Sequence, residues 1–251
     1  MIGNFDSFEE FKIALDEVNV LITQAGEYIQ DQLKYSVFNK SAVILLMAKF
    51  ESYLENVVDE FCFRLSGLKL KAKNIPLSIR FQASRDIITG DFLEDLERDR
   101  TTDNEKLQRK LKKKLQELSS IWDDECLPVK IEISNKFDYG KHGEKEIRRF
   151  FKRIGIDDVF NKFLIDKKVD GIDGEESYTI SAASDINSLT FYRNAIIHSD
   201  SNLNITHDQI KAYKDNLYYF ADKIDNKLYE WLKEIEESKE RGIIPGGRQY
   251  I

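Results

Sequence analysis

The run Asp185-Ile-Asn-Ser-Leu-Thr-Phe-Tyr-Arg-Asn-Ala-Ile-Ile-His198 decides how the rest of the chain is read. Its pattern predicts a helix in which Ile186, Leu189, Phe191, Tyr192, Ile196 and Ile197 supply apolar anchoring. Asn194 and His198, four residues apart, share a face of that helix. Arg193 lies about 140° from His198 around the axis, so the two flank a ridge, and the long arginine lets both lean over one groove. The residue types carry the chemistry. Arg193 offers a fixed fork of donors for a phosphate, His198 can carry a proton near neutral pH, and Asn194 can hold a ring nitrogen or a backbone in register. An arginine and a histidine without a carboxylate cluster suit metal-free phosphodiester cleavage. The same pair on a helix of this length is also compatible with a chance arrangement that has no chemistry.

Working outward, Ser199-Asp-Ser-Asn202 is polar and turn-like, which leaves His198 near a helix end, where a positive charge is tolerated. Thr206-His-Asp-Gln209 is a capping box opening a last long helix to about residue 238. His207 in its first turn reads as surface. Upstream, Ser184 or Asp185 caps the motif helix, and residues 166–183 read as a turn-rich loop around Gly171 and Gly174.

The basic segment Lys141-His-Gly-Glu-Lys-Glu-Ile-Arg-Arg-Phe-Phe-Lys-Arg153 precedes that loop. Its helix turns Ile147, Phe150, Phe151 and Ile154 to the core, and Gly155 ends it. Lys145, Arg148, Arg149 and Lys152 are left as an RNA-backbone surface, with Lys141 and His142 as further contacts, although His142 can equally be a turn residue. A second basic run, Lys106 to Lys114, lies on a helix over 104–122 with Leu107, Leu111, Leu115 and Leu118 as its buried stripe. Its acidic flanks make a solvated face the simpler reading.

Arg193-Asn-Ala-Ile-Ile-His198 resembles the Arg-polar-x-x-x-His motif of the HEPN (higher eukaryotes and prokaryotes nucleotide-binding) superfamily. With the segment Phe137–Gly155 before it, the chain is similar to the RiboL-PSP-type and MAE-type bacterial branch, over roughly residues 10–237. The resemblance implies an all-α bundle with long first, second and last helices. It also implies a metal-independent endoribonuclease in which Arg193, Asn194 and His198 are catalytic, with no cofactor. A C2 homodimer would bring two motifs into one cleft around the RNA substrate. A toxin or anti-phage defence setting, with an antitoxin or defence-system partner, belongs to the same implication. A non-catalytic HEPN module that binds RNA, a nucleotide or a partner stays open, as does a purely structural helical scaffold.

The remaining sequence sets bounds. At 251 residues with 41% hydrophobic content, sixteen Phe and eleven Tyr, the chain can bury a sizeable core. The economical organisation is one domain over 1–240, with 68–125 as an inserted mixed region and 241–251 as a tail. No stretch approaches twenty uncharged apolar residues, and no secretory pattern opens the chain, so a cytoplasmic protein without membrane contact is expected. The net charge of −7 hides an asymmetry: residues 1–60 carry 11 acidic and 4 basic side chains, residues 61–160 carry 18 and 22. A local groove can therefore still hold RNA. Cys62 and Cys126 read as reduced, mostly buried small hydrophobes, and the three histidines form no zinc signature. No phosphate-loop motif supports nucleotide hydrolysis.

Residues 5–35 predict one long helix, followed after Phe38-Asn39 by a second whose body, Ala42–Phe63, is apolar nearly all round and so central. Glu51 and Glu55 sit one turn apart on it. They read as a solvated rim or, more sharply, as carboxylates that orient Arg193 or a histidine from behind.

Overall fold

The computed structural model describes residues 5–89, 104–127, 131, 133, 136–137, 143–162, 165–171, 174–199 and 204–241. The architecture is a helical bundle with long first, second and last helices: α1 (Asp6–Glu27), α2 (Gln32–Gly67), α3 (Leu77–Ile87), α4 (Asn104–Trp122), α5 (Glu144–Lys152), α6 (Val159–Lys162), α7 (Ala182–Ser199) and α8 (His207–Arg241). One antiparallel hairpin, β1 (Ile165–Gly171) with β2 (Gly174–Ile180), supplies the only strands among the described residues. The expected loop over 166–183 is therefore mostly sheet, pairing Ile165 with Ile180 and Gly171 with Gly174. Val169, Tyr178, Thr179 and Ile180 are residue types that favour a pleated backbone, and the glycines stand at the closing end.

Two compact units make up the chain: 1–57 with 137–148 and 158–229, and 58–136 with 149–157 and 230–251. In the first, α1 buries Phe8, Phe11, Leu15, Val18, Ile22 and Ala25, a three-and-four spacing that turns one face inward. The part of α2 in this unit is central, as expected: Ala42, Val43, Leu46, Met47 and Phe50 are fully buried. Aromatic rings fill the space between helices, with Phe11 stacked on Tyr53 at 4.9 Å and Phe160 on Phe220 at 5.2 Å between centroids. Two buried polar contacts tie α8 to its neighbours. Asp225 accepts the Phe5 N–H at 3.0 Å, where an acidic group also meets the positive end of α1, and the Tyr53 hydroxyl donates to the Ala221 carbonyl at 2.8 Å.

The single helix expected over 5–35 is interrupted. The backbone N–H of Tyr28 closes α1 on Gln24 and Ala25, and Asp31 then accepts the Lys34 N–H at 3.1 Å where α2 begins at Gln32, well before the apolar body that starts at Ala42. Apolar periodicity continues across this break and conceals it.

In the second unit, the region 68–125 holds a 3-10 turn at Ala72–Asn74, then α3 starting after Pro76, then α4 over the expected range, with irregular stretches around them where described. Arg80 holds the end of α4, donating to the Ile121 carbonyl at 2.9 Å and lying over the Trp122 ring at 4.7 Å. Leu107, Leu111 and Leu118 are half-buried and Ile121 is buried, but Leu115, expected in this stripe, is exposed. Phe61 stacks on Trp231 at 5.0 Å. Ile147 is buried in the first unit, and Phe150, Phe151 and Ile154 in the second, as expected. Gly155 follows α5 at φ +91, a left-handed backbone that a side chain would strain. Cys62 is buried, which pushes its thiol up to about 12, whereas Cys126 is only partly covered and donates to Asp123 at 3.1 Å. Among the described residues no helix is long and apolar enough to cross a membrane.

Candidate active site

Helix α7 starts a turn earlier than Asp185: the Ser181 carbonyl accepts the Asp185 N–H at 3.2 Å, and its hydroxyl accepts the Ser184 N–H at 3.3 Å, so Ser181 is the cap. Asp185, freed from capping, instead accepts from Asn216 of α8 at 2.8 Å. Ala182, Ile186 and Leu189 are buried along one line of α7. At four residues beyond Leu189, Arg193 continues that inward line and is half-buried. The opposite stripe runs through Asn187, Phe191, Asn194 and His198 at spacings of four, three and four, all exposed except Asn194, which is half-buried. Phe191 is 66% exposed and Ile197 50%, so neither anchors the helix as its apolar character suggested. Phe191 falls on the outward stripe, and Ile197 sits at the helix end, with only His198 and Ser199 after it.

His198 is the penultimate residue of α7 and is exposed, as its polar downstream sequence suggests. Arg193 donates from Nη1 to Asn194 Oδ1 at 3.2 Å, which links the inward and outward stripes through the amide. Asn194 is thereby placed with His198 on one face and against Arg193 on the other.

Neither carboxylate of α2 lies on a solvated rim. Glu51 is half-buried with Oε1 fully covered, and burial pushes its carboxyl up to about 7. The positive field of Arg193 opposes this shift and Glu55 adds to it. Glu55 itself accepts the Phe137 N–H at 2.9 Å. A helix-2 carboxyl that titrates near neutrality thus lies within the field of the Arg193 guanidinium.

The basic residues of α5 are unequal. Arg148 is drawn into its own unit: it bonds Glu144 at 2.7 Å, pairs with Asp158, and lies over the Phe160 ring at 4.9 Å. Lys145 and Arg149 are exposed, and Lys152, also exposed, is 3.8 Å from Asp157. Lys141 and His142 lie outside the described residues. His207, expected at the surface, packs its ring edge-on against Tyr35 at 5.9 Å, with the tyrosine hydroxyl 3.3 Å from Nδ1. Gly26 faces this ring, and a Cβ there would sit 3.4 Å from it.

Sequence reasoning missed Glu144 and Asn187. Asn187 donates to the Glu144 carboxylate at 3.0 Å and accepts the Glu144 N–H at 3.2 Å, so the start of α5 is fastened to α7. The four-three-four recurrence ending at His198 was the available signal. Among the described residues no group of three or more His, Cys, Asp and Glu side chains is arranged to hold a metal ion.

The fold is a helical bundle whose late helix α7 carries Arg193, Asn194 and His198. A family model described as RiboL-PSP-HEPN matches residues 6–230, and the chain belongs to that family. No curated protein and no solved structure matches it significantly.

Proposed function

We propose that this protein is an endoribonuclease whose reaction needs no metal. The observation that carries the reading is the exposed His198 at the end of α7, about 1.4 turns from a half-buried Arg193 whose charge is felt by Glu51. RNA contains its own nucleophile. The 2′-oxygen attacks the adjacent phosphorus as its proton passes to a base, the P–O5′ bond breaks, and an acid protonates the departing oxygen. The products are a 2′,3′-cyclic phosphate and a 5′-hydroxyl. His198 moves a proton, Arg193 stabilises charge on the phosphorane oxygens, and Asn194 orients either the imidazole or the phosphate. Glu51 is a positioning residue, acting through Arg193.

One histidine cannot serve as acid and base in the same step. A C2 dimer supplies the second His198 and a second Arg193. Lys145, Arg149 and Lys152 track the RNA backbone, with Lys141 and His142 as further contacts, and Arg148 shapes this surface through its ion pairs. A toxin or phage-triggered defence enzyme, restrained by a partner protein, is the setting that fits a nuclease of this family.

The test is cleavage of single-stranded RNA in excess chelator, with end-group analysis. Wild type should leave cyclic phosphate and 5′-hydroxyl ends. His198→Ala should lose about 10³-fold in rate and Arg193→Ala about 10²–10³-fold, both with unchanged circular dichroism and melting. Undiminished cleavage by clean H198A protein would end the nuclease reading. RNA binding without cleavage by wild type would select a non-catalytic module.

A further inference from the structure

Beside the start of α7 and the start of α5, within one compact unit, lies a groove of about 570 Å³. It is open to solvent along much of its extent. Ser181, Ser184, Asn187 and Glu144 give it a polar wall, and Phe191 with Tyr192 forms an aromatic one. Serines and a carboxylate lining the same groove as a ring suit a flat heterocycle with polar edges better than an apolar side chain.

Two features show that the groove is organised rather than incidental. Phe191 is largely exposed, so its ring is offered to solvent, and it meets the half-buried Tyr192 edge-on at 5.8 Å. Glu144 is fixed at both oxygens, accepting from Arg148 on Oε1 at 2.7 Å and from Asn187 on Oε2 at 3.0 Å. The Arg148 bond, reinforced by Asn187, also keeps its carboxyl below the ordinary glutamate range. An ionised carboxylate accepts about four hydrogen bonds, so Oε2 retains acceptor capacity and can donate nothing. The outward stripe of α7 then continues from Asn187 and Phe191 to Asn194 and His198. Phe191 and His198 are separated by about 10 Å along the helix axis, which places the ring beyond the reacting linkage.

We propose that this groove is a base-recognition subsite for a nucleotide flanking the cleaved linkage: Phe191 stacks on the base and Glu144 accepts a hydrogen bond from an exocyclic amino group. The subsite rests on the ribonuclease reading for its place in a reaction, but its ligand chemistry stands alone. Cytosine, adenine and guanine carry such a donor. Uracil carries no amino group, and its N3–H lies between two carbonyl oxygens that an acceptor-only carboxylate repels.

The experiment compares binding of fluorescein-labelled dC and dU nonamers, which lack the 2′-nucleophile, to the full-length protein by anisotropy, alongside cleavage of the matching ribo-oligomers. Wild type should bind the cytosine oligomer about tenfold more tightly than the uracil one. Phe191→Ala should weaken both about tenfold and Phe191→Trp should restore them, as stacking requires. Glu144→Gln should erase the cytosine preference, and Asn187→Ala, which leaves the charge in place but loosens it, should reduce it. Failure of wild type to bind either oligomer, equal binding by wild type and F191A, or an unchanged preference in E144Q overturns the subsite. A change in sedimentation of F191A with base preference intact also overturns it, since Phe191 is then a contact between copies. Binding with these preferences but no RNA cleavage sinks the nuclease and spares the subsite. His198-dependent cleavage indifferent to F191A and E144Q does the reverse.

Discussion

His198 and His207 stand nine residues apart, one closing α7 and the other opening α8. Identical side chains meet opposite surroundings there. His198 is exposed beyond the last buried turn of its helix, whereas His207 is tucked against Tyr35 and Gly26, with only 22% of its side chain accessible. An imidazole committed to a tyrosine and a helix junction contributes packing and one hydrogen bond. An imidazole in water on a presented stripe is available to a substrate. Residue type thus names what chemistry is possible, and the elements packed around it decide whether that chemistry can be used.

Exchanging which histidine is removed is the severest trial of this contrast. H198A should cost about 10³-fold in RNA cleavage, with a melting temperature within a degree or two of wild type; His207→Ala should cleave nearly normally. Chemical denaturation should instead find H207A less stable by about 1–2 kcal/mol, from one lost hydrogen bond and the space left beside Tyr35. A large cleavage defect in H207A and none in H198A would invert the assignment.

Glu51 sharpens the same distinction at the buried end of the motif. Its folded value of about 7 lies above the ordinary 4.5, so between those pH values the unfolded chain has released a proton that the folded protein retains. Stability should therefore fall as pH rises through this window, with the full cost present above about pH 7. A shift of this size corresponds to at most about 3.4 kcal/mol, and water reaching the half-buried group lowers it toward about 1–2 kcal/mol. Glu51→Gln should flatten the slope in urea titrations run from pH 4 to pH 8. If E51Q follows the wild-type profile, the carboxyl does not titrate where its surroundings place it.

The smallest effect belongs to the α8 capping box. The Thr206 hydroxyl accepts the Gln209 N–H at 3.2 Å, and the Gln209 side chain accepts the Thr206 N–H at 2.9 Å. Thr206→Ala should cost about 1 kcal/mol and leave cleavage intact, because the cap supports the histidine that packs and not the one that is presented.

This capping box was legible in full, since both partners lie within one turn. So were the central part of α2, the buried face of α5 and the extent of α4, where apolar residues recur at helical spacing for several turns. The break at 28–31 was not, because the apolar rhythm runs straight across it. The hairpin at 165–180 was concealed by its glycines and charges, which read as loop until the two strands are paired. Arg148 looked like a phosphate contact by composition. Its partner Glu144 was one turn away and readable, but Asp158 and Phe160 reach it only once the chain has folded back.

From the amino-acid order alone came the helical class, the HEPN likeness and the choice of Arg193, Asn194 and His198 as candidates, because helical periodicity and a six-residue motif are local properties. Which stripe of α7 points outward, how far Glu51 is withdrawn from water beside Arg193, and which histidine is left open were decided by tertiary structure. Burial and electrostatic field depend on groups distant in sequence, and no local pattern encodes them.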